Sequence, residues 1–239
     1  MTWSIIARDS SGSFGVAIAS RAFAVGVLCP YVKTGIGALA TQALVNPLYG
    51  PRGLDALGLG MMAADIVTLL TSEDQGRDHR QVHVMDRHGH TAAHTGASCI
   101  DWCGHVSGVD HSVAGNMLAG PRVIEETAAA YVAAGDLPVA ERLLAAMEAG
   151  EAAGGDKRGK QAAALLIHAT EEYPFLDLRV DDHVDPLAEL RRLYDKSFER
   201  YQPFVACLAR RGSAAGITDR TVIEAEIERF VQAHPGHKR

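Results

Sequence analysis

The chain has 239 residues, 47% of them hydrophobic and 22% charged, with a formal net charge of -6. That length suits one large domain that can bury a core without disulfides, and its scattered basic residues offer no concentrated face for phosphate, which argues against a nucleic-acid partner. Four irregularly spaced cysteines, Cys29, Cys99, Cys103 and Cys207, read as reduced thiols of a cytoplasmic protein.

Residues 3–8 and 13–20 are apolar and β-branched enough for paired strands, with Asp9-Ser10-Ser11-Gly12 as the turn. Strands are predicted next over 25–32 and 35–44. The stretch Asn46-Pro47-Leu48-Tyr49-Gly50-Pro51 must be a loop, because two prolines and a glycine deny it regular pairing. Helical spacing begins near Pro51, and a second helix is predicted over Ala63–Ser72. Strands return at 80–86 and 90–96, joined at Arg87-His88-Gly89, and again at 112–118. Two helices follow, over 122–134 and 139–152, the second with a periodic stripe of Leu143, Leu144 and Met147. After the loop GGDKRGK come strands over 162–169 and 175–182, a long amphipathic helix over 186–210 and a last helix over 221–233. The N-terminus lacks the pattern of a signal peptide, and nowhere do roughly 18 apolar residues run together, so no membrane span is expected.

Blocks of hairpins alternating with pairs of helices differ from strict βαβ order and point to antiparallel sheets covered by helical layers. The expected class is α+β: a four-layer αββα sandwich of two stacked antiparallel sheets, with C-terminal helices. Stacking explains the small, nearly uninterrupted apolar runs GVAIAS and GALATQAL, whose two faces would both be buried. The sandwich is assigned to residues 1–195 and a helical extension to 196–239.

Thr2 is the first candidate for chemistry. Met aminopeptidases remove an initiator Met that precedes a small residue, which would leave one residue with a hydroxyl and a free α-amine of pKa near ~8. Such a residue is both nucleophile and base; the alternative from position alone is a β-branched residue that simply starts a strand. In the expected fold Ser20, at the end of the second strand, would flank it, as would Arg21, for which a surface position is the alternative. GGDKRGKQ comes close to a nucleotide phosphate loop, but Gln161 replaces the Mg-binding hydroxyl, and helix before strand is the reverse of the required order. It reads instead as a tight loop presenting Asp156 and Arg158, the latter able to hold a substrate carboxylate; a solvated surface turn is the alternative. Seven histidines between positions 79 and 111 suggest zinc, yet no pair has HExxH or CxxC spacing. Asn116 is a candidate oxyanion donor or a plain strand-end residue. Gln42, and Asn46 and Arg52 in the loop after it, sit where binding groups gather, with a helix-start ion pair as the alternative for Arg52.

The segments MTWSIIARD, GVAIASRAFAVG, GIGALATQALVNPLYGPRG, RQVHVMD, TAAHTGASC, GNMLAGP, ERLLAAMEAGEAAGGDKRGKQAAALLI and DLRVDDHVDPLAELRRL resemble, in order, the domain-of-unknown-function family 1028, over about residues 2–195. That family is placed in the N-terminal nucleophile (Ntn) hydrolase superfamily. The resemblance implies the αββα sandwich and a catalytic strand that starts with the nucleophile, here Thr2. Likeness to proteasome-type subunits implies a lysine under the nucleophile, and Lys33 lies at about the right distance along the chain.

The expectation is an amidohydrolase cleaving a small-molecule amide or related C–N bond. Thr2 attacks, Lys33 or Ser20 supports it, Asn116 holds the oxyanion, and Gln42, Asn46, Arg52, Asp156 and Arg158 position the substrate, with no cofactor or metal. A catalytically silent Ntn-fold binding protein or partner subunit is the main alternative, and a zinc hydrolase built on the histidine-rich middle is a third. The stripe Leu187, Leu190, Leu193, Tyr194, Phe198, Tyr201 and Phe204 predicts a homodimer or higher homo-oligomer through residues 194–230.

Overall fold

The computed structural model describes residues 2–237. The chain divides into two compact units, one ending at Leu187 and one starting at Ala188.

Among the described residues, the first unit holds ten strands. β1 (Thr2–Arg8), β2 (Phe14–Ser20), β7 (Trp102–Gly108), β8 (His111–Leu118), β9 (Ala162–His168) and β10 (Leu176–Val180) form a six-stranded sheet in the order β10-β9-β2-β1-β8-β7. β3 (Pro30–Lys33), β4 (Gly37–Ala43), β5 (Arg80–Asp86) and β6 (Thr91–Thr95) form a four-stranded sheet in sequential order. Every strand pair is antiparallel. Helices α2 (Tyr49–Gly58) and α3 (Ala63–Ser72) cover the smaller sheet, and α4 (Arg122–Ala133) and α5 (Val139–Ala152) cover the larger one. The result is the four-layer αββα sandwich.

Strand alternation sets the layers. In β5, Val82 and Val84 join Leu39, Tyr49, Leu57, Ile66 and Leu70 in the core beneath α2 and α3. The opposite face of the sheet carries Met85, Ala38 and Ala40 against Ile6, Phe14 and Val16 of the larger sheet. β1 is therefore buried on both faces, as its nearly continuous apolar run requires.

Tyr49-Gly50-Pro51, expected as loop, form the first turn of α2, where a proline costs nothing; three further elements differ from the sequence expectation. Residues 25–32 do not form one strand. Ala24 takes a left-handed conformation (φ 52°), a single helical turn α1 (Val25–Leu28) follows, and only Pro30–Lys33 pairs. β2 is already flanked by β1 and β9, so the segment after it has no free sheet edge to join, and Pro30, which cannot donate to a ladder, opens an edge strand. β7 was not expected. Its half-exposed sequence WCGHVSG carries two glycines and a register shift, as an edge strand can.

The third difference lies in the second unit. The helix expected over 186–210 stops at Ser197 (α6, Pro186–Ser197), and a separate α7 runs over Tyr201–Val205. Pro203 is the cause: inside a continuous helix it would lack the N–H for the Glu199 carbonyl and clash with it, whereas in the first turn of α7 neither cost arises. Asp219 caps α8 (Arg220–Ala233), its carboxylate accepting from Thr221 N at 2.8 Å. Phe198 stacks on His237 at 3.7 Å between centroids and meets Tyr194 edge-on at 5.2 Å. That part of the expected stripe is internal to the unit; Tyr201 and Phe204 stay exposed.

Candidate functional site

Thr2 opens β1 and is buried, with Ser20 of β2 and Asn116 of β8 directly opposite it on either side. Its Oγ1 donates to Ser20 Oγ at 3.1 Å, and Ser20 Oγ also accepts from Ala22 N at 3.1 Å. The Thr2 carbonyl is held from two directions, accepting from Asn116 Nδ2 at 3.3 Å and Gln42 Nε2 at 3.4 Å.

Behind these contacts lies a buried polar chain between the sheets. Gln81 Oε1 accepts from Gln42 Nε2 at 2.8 Å and Asn116 Nδ2 at 3.0 Å. Gln81 Nε2 donates to the Gly115 carbonyl at 2.8 Å, the Gly104 carbonyl at 3.1 Å and Thr95 Oγ1 at 2.9 Å. Ser4 Oγ donates to Gln42 Oε1 at 2.8 Å and lies 2.9 Å from His83 Nε2. The single Ser4 proton is committed to the amide oxygen, so His83 Nε2 carries the proton it donates to Ser4. His83 Nδ1 then accepts from Ser112 Oγ at 3.2 Å. Full burial pushes His83 down to about 3, which keeps the ring neutral.

Asn116 has two amide protons, and both are engaged, with the Thr2 carbonyl and Gln81. As the chain stands, neither proton is left over for a further acceptor. Gln42 holds the same carbonyl from the other sheet, also donating to the Ala114 carbonyl at 3.1 Å.

The glycine loop closes the other side. Gly154, Gly155 and Gly159 all have positive φ (120°, 48° and 103°), a path that side chains rarely follow, and a Cβ on Gly155 would also meet Glu151. The loop is entered from a helix and left by a strand, the reverse of a phosphate loop. Asp156 is buried; it accepts from Arg21 N and Arg158 N, each at 2.8 Å, and pairs with Arg158 Nη2 at 3.3 Å. Asp156 thus fastens the loop to the residue after Ser20, and Gln161 N completes the seam on the Ser20 carbonyl at 3.1 Å.

The remaining candidates lie elsewhere. Lys33 is exposed and pairs with Gly37, and from there β4 runs roughly 17 Å to Gln42 at the Thr2 end. Its neighbour Thr34 hydrogen-bonds His168 at 3.1 Å, and His168 pairs with Phe14, at the opposite end of β2 from Ser20. The structure does not bring Lys33 to Thr2. Arg52 forms an ion pair with Glu73. Asn46 Nδ2 donates to Asp74 Oδ2 at 3.1 Å, beside Tyr49 OH at 2.8 Å and Arg80 Nε at 3.0 Å. Burial opposes the Asp74 charge, but hydrogen bonds from Gly76 N, Tyr49, Asn46 and Arg80 hold its carboxyl well below the usual range. Among the described residues, no three of His, Cys, Asp and Glu gather closely enough to hold a metal ion, and no helix is long and apolar enough to cross a membrane.

Sequence reading missed Ser4, Gln81, His83 and Ser112 as a unit. The signal was present in RQVHVMD: Gln81 and His83 alternate with Val82 and Val84, and a polar face on a strand sandwiched between layers is a buried polar face.

Fold and site together define an αββα sandwich with a threonine, rather than a charged group, held at the head of its central strand. The chain belongs to the family described as Family of unknown function (DUF1028), whose model matches residues 2–190. The crystal structure of protein SPO2555 from Silicibacter pomeroyi, of the same family, is 33% identical and covers 91% of this chain and 99% of its own, with a TM-score of 0.84. Anbu (ancestral beta-subunit) from Yersinia bercovieri is 11% identical, covering 82% of this chain and 94% of its own, with a TM-score of 0.41. None of the curated proteins compared matches the chain.

Proposed function

We propose that this chain is an amidohydrolase of the N-terminal-nucleophile type, acting in the cytoplasm on a small-molecule amide or related C–N bond. The observation that carries this reading is the Thr2 hydroxyl, buried at the strand head, donating to Ser20 while its carbonyl is gripped by Asn116 and Gln42. Met1 lies outside the described residues; its removal frees the Thr2 amine. The hydroxyl oxygen then attacks the amide carbon as its proton passes to that amine, the C–N bond breaks, and the leaving nitrogen takes the proton. Water hydrolyses the resulting ester by the same route in reverse. Ser20 orients the hydroxyl, and Asn116 and Gln42 fix the strand that carries it.

The test combines intact mass with covalent labelling. Protein from its own host should be lighter by one methionine residue, and a hydroxyl-directed acylating probe should label Thr2 selectively and leave Thr2→Ala unmodified. Met1 fully retained in a preparation that hydrolyses amides would overturn the mechanism. A second reading, a catalytically silent small-molecule-binding protein, is favoured by two observations: Lys33 lies far from Thr2, and the Asn116 amide is already engaged. Processed protein that resists labelling would support that reading. The chain is further proposed to form a homodimer or higher homo-oligomer through residues 194–230, where Tyr201 and Phe204 remain exposed. Sedimentation as a monomer at micromolar concentration would refute this.

A further inference from the structure

The ends of β4 and β8 beside Thr2 are shaped unusually. Ala43 directly follows Gln42 and Met117 directly follows Asn116, and both take left-handed backbone conformations (φ 70° and 54°) although neither is glycine. Strain of this kind collects at sites where the surrounding structure needs the chain to turn. Here the two turns carry the chain away from the residues that grip Thr2 and leave a cavity of about 220 Å³ between them, lined by Ala43, Leu44, Cys99, Ile100, Asn116 and Met117 among others. Its wall is mostly apolar, and Leu44 and Ile100 are 64% and 58% exposed, an apolar surface that nothing in the described chain covers.

The Ser20 side has the opposite character. A recess there is lined by Arg21, Lys160, Gln161, Asp182 and His183. The Lys160 charge is met by Glu151 at 3.2 Å and Asp185 at 3.5 Å. Arg21 is exposed, and its guanidinium donates only to the Arg158 carbonyl, at 3.2 Å, with no carboxylate partner among the described residues. Ser20 and Asn116 flank Thr2 on adjacent strands, roughly two strand spacings (about 10 Å) apart, with the recess beside Ser20's neighbour Arg21 and the cavity beside Asn116. One amide with a substituent at each end spans that distance.

Resting on the reading of Thr2 as nucleophile, we infer that the substrate joins a compact apolar group to a portion bearing a carboxylate. The apolar group occupies the cavity beside Met117, and the carboxylate meets Arg21 in a charge-assisted, two-pronged contact. Leu44 and Ile100 set the size and polarity accepted; Arg21 sets the charge.

Two ladders of probes test this on the full-length processed protein: N-acylglycines from acetyl to octanoyl, and N-alkylsuccinamates of matching length, each with a counterpart in which the carboxylate is replaced by a primary amide. Calorimetric binding to Thr2→Ala reads the pockets without turnover, and amine release by the processed wild type reads the chemistry. In at least one ladder, lengthening the apolar group should tighten binding at least tenfold. Leu44→Asn should flatten the dependence on length, and Arg21→Gln should weaken the acid at least tenfold but not its amide counterpart. If Thr2→Ala binds with these preferences while the wild type releases no amine, the nucleophile reading fails and the pocket assignment stands. If the wild type turns over short neutral amides with no preference for length or charge, the assignment fails and the nucleophile reading stands. No binding by any member of either ladder overturns the assignment.

Discussion

The space between the two sheets is filled in two unlike ways. Toward β2 and β3 it holds Ile6, Phe14, Val16, Val32, Ala38, Ala40 and Met85, an apolar cluster that any sandwich needs. Toward β8 it holds Ser4, Gln42, Gln81, His83, Ser112 and Asn116, all buried and joined by hydrogen bonds of 2.8 to 3.2 Å. The apolar half contributes burial energy that depends little on direction. The polar half contributes little net stability, because each bond replaces one that water would have made. What it provides is direction: amides from both sheets converge on one carbonyl, that of Thr2. One half holds the sheets together, and the other sets how they meet at the strand head.

Breaking the polar half should therefore damage both stability and chemistry. Gln81→Leu keeps the volume but strands one amide proton of Asn116 and the carbonyl of Gly115, while Gln42 keeps its bonds to the Thr2 and Ala114 carbonyls. At about 1–3 kcal/mol for each of the two stranded buried groups, a loss of about 2–6 kcal/mol is expected in denaturant titration. A fall in kcat of at least about tenfold should accompany it, since the two amides that grip Thr2 lose the shared acceptor that orients them. The matched change in the apolar half, Ile6→Ala, should cost about 2–5 kcal/mol through transfer and cavity terms and leave kcat within about a factor of two. Equal loss of kcat in the two variants would show that the halves do not divide the work in this way.

Acid sharpens the contrast, because only the polar half titrates. Burial holds His83 at about 3, against an ordinary value near 6.5. The unfolded chain therefore binds a proton that the folded chain refuses between those pH values. Stability should fall as pH drops from 6.5 toward 3, with a slope of about 1.4 kcal/mol per pH unit from this one group. Comparing wild type with His83→Gln by denaturant titration from pH 7 to pH 4 isolates that slope. Parallel curves would mean that the ring is protonated in the folded state.

How much of this was legible beforehand follows the same division. The apolar half could be read from GVAIAS and GALATQAL, since small residues on both faces of a strand imply layers on both sides, and the sandwich follows. Thr2, Ser20, Gln42 and Asn116 were each visible as single residues at strand ends. Their convergence was not, because it depends on the β1–β8 and β4–β5 registers, and a one-residue slip would turn every side chain away. Single histidines invite a metal reading, and nothing local distinguishes a ligand from a ring such as His83 that is satisfied by two serines. Asp156 and Arg158 looked like a presented pair because loop residues usually face solvent, but the buried seam to Arg21 N is a long-range contact that no local pattern encodes. Pro203 was legible and simply outweighed by helical spacing around it.

Lys33 gives the smallest effect and the most direct test of what spacing along a chain can establish. Its distance from Thr2 in sequence suits a lysine beneath the nucleophile, yet the β3–β4 pairing sets it opposite Gly37, on an exposed edge at the far end of the smaller sheet. An exposed side chain with no buried partner contributes within about 0.5 kcal/mol, and a charge roughly 17 Å away is screened beyond a Debye length of about 8 Å at physiological salt. Lys33→Ala should therefore leave the melting temperature, the rate of probe labelling at Thr2 and the pH profile of amide hydrolysis unchanged within error. Ser20→Ala, which removes the acceptor of the Thr2 hydroxyl at 3.1 Å, should slow labelling at least about tenfold in the same assay. Were Lys33→Ala instead the slower of the two, the strand head would have to rearrange on loss of Met1 far enough to bring β3 to Thr2, and the polar half would have to come apart to allow it.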